Sequence, residues 1–160
     1  MPMRLGTEKP KFEGATEWMT GSQEEAENIS SGNVTLVHFW SVSCGICKEN
    51  MPKVHELRDS KYDQGLRVVA VHMPRYEADT NLESVREAIE KFNIAEPCAI
   101  DNLHKLKDAF QNEQGFVPAY YLFDAEGKMK GYGAGEKGLN FILPTLERLL
   151  KQSVQPVVAA

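Results

Sequence analysis

Apolar residues recur along this chain in two rhythms, and the changes between them predict its elements. Val34 to Trp40 and Leu66 to Met73 are near-continuous apolar runs of strand length, so both are expected to be strands covered on two faces. Cys98-Ala99-Ile100 is a third, shorter strand. Ala119 to Phe123 and Lys128 to Tyr132 are two more, joined by Asp124-Ala125-Glu126-Gly127, which has hairpin chemistry. Glu17-Trp18-Met19 reads as an edge strand.

Elsewhere the rhythm is helical. Leu82, Val85, Ile89 and Phe92 fall on one face at spacings of three, four and three. Leu139, Ile142, Leu143, Leu146, Leu149 and Leu150 line a last amphipathic helix, with Pro144 interrupting its early part. Gln23 to Ile29 and His104 to about Phe110 are short helices, and Pro74 to Asn81 is a loop. Gly45 to about Arg58 is a longer helix containing Pro52, which removes one backbone hydrogen bond and should kink it. From Val34 the order is β-α-β-α-β-α and then β-β-α. Early alternation with a late hairpin predicts α/β architecture, a central mixed β-sheet flanked by helices on both faces.

Composition narrows this picture without redirecting it. The 160 residues suit a single domain, with its core over about residues 12–150 and a flexible tail at 151–160. Hydrophobic residues at 42% and charged residues at 26% are an ordinary globular balance, and a net charge of −5 gives no reason to expect nucleic acid or an anionic membrane as partner. No apolar run reaches the roughly 18 residues of a membrane-spanning helix. The start, Met1-Pro2-Met3-Arg4-Leu5-Gly6, lacks the apolar segment of a signal peptide, so a cytoplasmic location is expected; an extracytoplasmic one stays open if this is a processed N-terminus.

The chemistry concentrates in Trp40-Ser41-Val42-Ser43-Cys44-Gly45-Ile46-Cys47. Two cysteines two residues apart stand between a strand and a helix. The first turn of a helix offers unpaired N–H groups and the positive end of its dipole, which lower the pKa of a cysteine held there. The rival reading of such a pair is half of a zinc site. Zinc wants about four N or S ligands, usually a second close pair. Only Cys98 and four scattered histidines remain, none in metal-ligand spacing, so a redox pair is favoured and no metal is expected.

Phe39-Trp40-x-x-x-Cys44-x-x-Cys47, with Phe116-Val117-Pro118-Ala119-Tyr120-Tyr121-Leu122-Phe123-Asp124-x-x-Gly127 far along the chain, resembles the thioredoxin superfamily. Within it the chain is most similar to the TlpA-like branch, through Glu17-Trp18-Met19 and the long insert after the second strand. Val69-Ala70-Val71-His72-x-Pro74-x-Tyr76-Glu77, Val85-Arg86 and Gly135-Glu136 resemble thioredoxin-like domains of DipZ and NHL-repeat proteins. The resemblance implies a thioredoxin-like fold and a thiol–disulfide oxidoreductase that needs no bound cofactor, its electrons residing on a Cys44–Cys47 dithiol. It implies Cys44 as nucleophile and Cys47 as resolving thiol. It implies a cis Pro118 beside them, with Val117 presenting backbone groups to substrate. A disulfide-containing protein or small molecule is the implied substrate, and a reductase or thiol pool the electron donor.

Several residues depart from the family pattern. Gly45-Ile46 stands where Gly-Pro is commonest. His38 occupies the position of a buried aspartate proposed to help deprotonate the resolving cysteine; histidine could take that role or be a satisfied core residue. Some relatives carry a glutamate after the second strand, where this chain has Arg75, with Glu77 two residues on; either could touch the site or lie in a solvated loop. Trp40 is expected to pack under the active-site turn, Lys48 to add to the local positive field, Cys98 to be buried and inert, and His55 and His104 to lie at the surface. His72, nearer the strand end, is open to either reading. Two rival functions remain. A peroxidase acting through a sulfenic acid would use Ser41, three residues before Cys44, although the proline expected before it is absent. A non-redox binding module would keep the fold and use only the groove at Pro118.

Overall fold

The computed structural model describes residues 2–153. Six strands form one mixed sheet in the order β1-β4-β3-β2-β5-β6. They are β1 (Glu17–Thr20), β2 (Val34–Trp40), β3 (Leu66–His72), β4 (Cys98–Ile100), β5 (Ala119–Phe123) and β6 (Met129–Ala134). The helices are α1 (Gln23–Ser30), α2 (Gly45–Ser60), α3 (Leu82–Lys91), α4 (Lys105–Ala109) and α5 (Gly138–Ser153). β2 and β3 are parallel with Val34 opposite Leu66 and Trp40 opposite His72, and β5 is antiparallel to β2. Both central strands are buried or nearly so at every residue, which is why they read as unbroken apolar runs.

Alternation along the strands sorts side chains to two faces. Val37, Phe39, Val69, Val71, Tyr121 and Phe123 point to the face carrying α1 and α4, where they pack with Ala26, Leu106 and Phe110. The opposite face, with Leu36, Trp40, Val68, Ala70, Tyr120 and Leu122, is covered by α2, α3 and α5. His38 and His72 share this second face by register. Gly133 lets α5 approach β6 closely, since a Cβ there would collide with the Gly138 backbone.

The expected elements form, with four differences. Pro144 does not interrupt α5, which runs through it as α2 runs through Pro52. The loop at 74–81 contains a 3-10 turn over Glu77–Thr80. The core begins before residue 12. Gly6 N–H donates to Met129 O at 2.8 Å and Met129 N–H to Thr7 O at 2.8 Å, and Met3 and Phe12 are buried. Of the tail expected at 151–160, Lys151 to Ser153 belong to α5, and the rest lies outside the described residues.

Candidate active site

Cys44 is the N-cap of α2, in extended conformation, and Cys47 closes the first turn. The two are joined by a disulfide with Cα atoms 5.3 Å apart. Cys47 N–H donates to Cys44 Sγ at 3.1 Å. That donor, the helix dipole and the absence of any acidic residue in the first turn of α2 would all favour a thiolate on Cys44 once the bond is reduced. Both sulfur-bearing residues are nearly buried, while Gly45 and Ile46 between them are exposed.

The Val117–Pro118 peptide is cis. Val117, half-buried, packs against the same apolar cluster as Trp40, Cys44 and Cys47. Folding therefore joins two segments some seventy residues apart in sequence. Ile46, between the cysteines, is 40% exposed, and Phe116, next to Val117 in the chain, is 47% exposed. Trp40 is fully buried under the turn, as expected.

The loop before Cys44 is held by a residue that sequence reasoning missed. Asp79 Oδ2 accepts from Ser41 Oγ and Ser43 Oγ, each at 2.8 Å, and from the backbone N–H groups of Arg75 at 2.9 Å and Tyr76 at 3.2 Å. Burial opposes ionisation of Asp79, but these four donors outweigh it and hold the carboxyl below its usual range. Arg75 reaches the site: its Nη2 donates to Ser43 Oγ at 3.0 Å. Glu77 sits exposed in the 3-10 turn. Ser41 Oγ–H is committed to Asp79, which counts against its supporting a peroxidatic Cys44.

His72 holds the same loop from the sheet side. Its Nε2 accepts the Val42 N–H at 3.2 Å, so the ring is neutral with its proton on Nδ1. Burial pushes its pKa from 6.5 down to about 4, with the Asp79 charge offsetting part of the effect. A depressed folded pKa means that the stabilisation is complete above about pH 6.5 and is lost as the pH falls from 6.5 through 4. We expect about 2–3 kcal/mol of stability to disappear across that window. Denaturant unfolding against pH checks this, and His72→Gln should flatten the profile over the same range.

The remaining histidines do not scatter as expected. His55 is buried, not at the surface, because it shares the inner stripe of α2 with Cys47, Met51 and Val54. His38 and His55 both reach Glu96 Oε2, at 2.7 and 3.2 Å, while Arg58 Nη1 donates to Glu96 Oε1 at 2.7 Å. Burial opposes the charge on Glu96, and the hydrogen bonds from His38 and His55 overcome it, keeping the carboxyl well below its normal range. His104 is half-buried, with Nε2 at 2.9 Å from Pro74 O. Cys98 is buried, and burial pushes its thiol up to about 12, so it is inert. Glu96 was missed in the sequence; its signal is a charge set just before Pro97 and the apolar strand that follows.

Fold and site together define a thiol–disulfide oxidoreductase built on a thioredoxin-like fold. The chain belongs to the AhpC/TSA family, whose profile matches residues 5–132. It is 40% identical over 151 residues to the thiol-disulfide oxidoreductase YkuV of Bacillus subtilis (strain 168), covering 94% of this chain and 99% of that protein. It is 30% identical to the protein DipZ of Mycobacterium bovis over 93% of this chain and 21% of that larger protein. The solution structure of a thioredoxin-like protein in the oxidized form superposes with a TM-score of 0.81, at 39% identity, covering 94% of this chain and 99% of the other.

Proposed function

We propose that this oxidoreductase runs as a reductant in a reducing compartment such as the cytoplasm, passing electrons to disulfides of proteins or small molecules. The observation that carries the reading is Cys44 at the N-cap of α2, bonded to Cys47 and set beside the cis Val117–Pro118 peptide. The Cys44 thiolate attacks a substrate disulfide. That S–S bond breaks, one substrate sulfur leaves and takes a proton, and a mixed disulfide forms on Cys44. Cys47, as thiolate, then attacks Cys44 Sγ and releases the second substrate thiol. Two electrons and two protons pass to the substrate, and Cys44–Cys47 is left oxidised. A partner reductase or a low-molecular-weight thiol restores the dithiol. Electrons reside on sulfur throughout, so no bound cofactor is called for.

An extended substrate segment would meet the exposed Ile46 and Phe116, pairing its backbone with Val117. The unpaired Cys98 thiol supports a reducing compartment, and the long connection between β3 and α3 supports placement in the TlpA-like branch. Titration of the Cys44–Cys47 couple against glutathione tests the direction. A potential near about −270 mV is expected, and one near about −120 mV would make the protein an oxidant instead.

A further inference from the structure

Below the active-site helix, three elements deliver ligating side chains to one buried point. His38 comes from β2, His55 from α2 and Glu96 from the connection between α3 and β4. All three are at most 6% exposed. The two imidazole Nε2 atoms face the same carboxylate oxygen, Glu96 Oε2, and the three donor atoms lie within 4.8 Å of one another. A proton acceptor for Cys47 would need His38 alone, not a second imidazole and a carboxylate on the same point.

We propose that His38 Nε2, His55 Nε2 and Glu96 Oε2 form a binding site for one divalent transition-metal ion of the zinc class. Two imidazoles and one carboxylate are a donor set that suits zinc and its neighbours, whereas calcium and magnesium favour oxygen alone. Ligands about 2.0–2.2 Å from a tetrahedral ion stand roughly 3.4 Å from one another. Here the two carboxylate edges are 2.7 and 3.2 Å and the imidazole–imidazole edge is at most 4.8 Å. The ion enters as Glu96 draws back slightly and the two rings close towards each other.

The surroundings are those of a supported site. Arg58 binds the outer carboxylate oxygen, Oε1, which orients Glu96 and leaves Oε2 for the metal. The guanidinium also engages Asp59 Oδ1 at 2.9 Å, so its charge is shared away from the ion. A cleft of about 460 Å³ opens onto Glu96 and Arg58, between Tyr62, Arg67 and Pro97. Neither histidine lines this cleft, so the ion would pass between Arg58 and Glu96 to reach Oε2, with water as the fourth ligand. Without metal, the two Nε2–H groups donate to Oε2. On binding, both rings shift their proton to Nδ1 and offer Nε2 as a lone pair, with no net release of protons. The ion then clips the helix carrying Cys44 and Cys47 to the central strand and to the β4 entry loop.

The test uses the full, tag-free chain with Cys44–Cys47 oxidised, so that its thiolates cannot bind. After chelator treatment and removal of the chelator, Co²⁺ is titrated as the only metal. One Co²⁺ per chain is expected, with the visible absorption of a four-coordinate nitrogen and oxygen site and an upward shift in thermal midpoint. Zn²⁺ should displace it. His55→Ala and Glu96→Gln should each weaken binding by at least about tenfold. Absence of saturable uptake at millimolar Co²⁺, or uptake unchanged in both variants, overturns the site. Should either variant fail to fold, the wild-type protein still decides: Co²⁺-shifted imidazole resonances must come from His38 and His55, and shifts confined to His72 or His104 overturn it. Loss of disulfide reduction activity has no bearing on this outcome, so the two readings fail independently.

Discussion

Cys47→Ser is expected to accumulate mixed disulfides between Cys44 and its substrates, while Cys44→Ser accumulates none and reduces insulin no faster than buffer. The asymmetry follows from position. Cys44 caps α2 and receives the Cys47 N–H, so its thiolate is the one stabilised for attack. Cys47 closes the first turn of α2, beneath Cys44 in the chain's path, and its own N–H donates to Cys44 Sγ, which suits it to resolve a mixed disulfide on Cys44. Removing Cys47 leaves the first step intact and deletes the second, so the covalent complex persists. Removing Cys44 deletes both. Non-reducing electrophoresis after brief exposure to a disulfide substrate, followed by mass spectrometry of the trapped band, reads the outcome directly. Equal trapping by the two variants would reverse the assignment of nucleophile. Trapping by neither, with substrate still bound, would favour a binding module over an enzyme.

Glu96→Ala is expected to cost about 3 kcal/mol of stability, measured with chelator present so that no metal contributes. The cost arises because Glu96 is 4% exposed and receives His38, His55 and Arg58 at once. Its loss strands two buried imidazole N–H donors and removes one partner of Arg58. Asp59 continues to pair with the guanidinium, which keeps the figure at the low end for a broken buried pair. For a domain of this size the thermal midpoint should fall by roughly 6–12 °C. Glu96→Gln retains an acceptor and should lose less. A change of under a degree in Glu96→Ala would show that the network carries no net stability.

The fold was largely legible because its signals are local. Continuous apolar runs mark β2 and β3, a three-four spacing marks α3, and Asp124 to Gly127 mark the hairpin, where Asp124 Oδ1 accepts the N–H groups of Glu126 and Lys128. The stripe of Cys47, Met51, Val54 and His55 on α2 was legible too, and following it would have placed His55 inside. A histidine carries no mark of burial by itself. Proline misled at one position: packing along α5 offsets the single hydrogen bond lost at Pro144, and the helix continues through it.

By itself the sequence determined that Cys44 and Cys47 stand one turn apart at the start of a helix; spacing alone left a redox pair and half of a zinc site both open, and the resemblance favoured the first. It also determined the sheet's apolar strands, while the place of Pro118 beside the cysteines was implied by the resemblance alone. Only the tertiary structure decided what surrounds that pair. Asp79 gathers Ser41 and Ser43, and Glu96 gathers His38, His55 and Arg58, across separations of 36 to 58 residues. A buried carboxylate finds its partners through the packing of whole elements, and such convergence leaves no period or motif along the chain to be read.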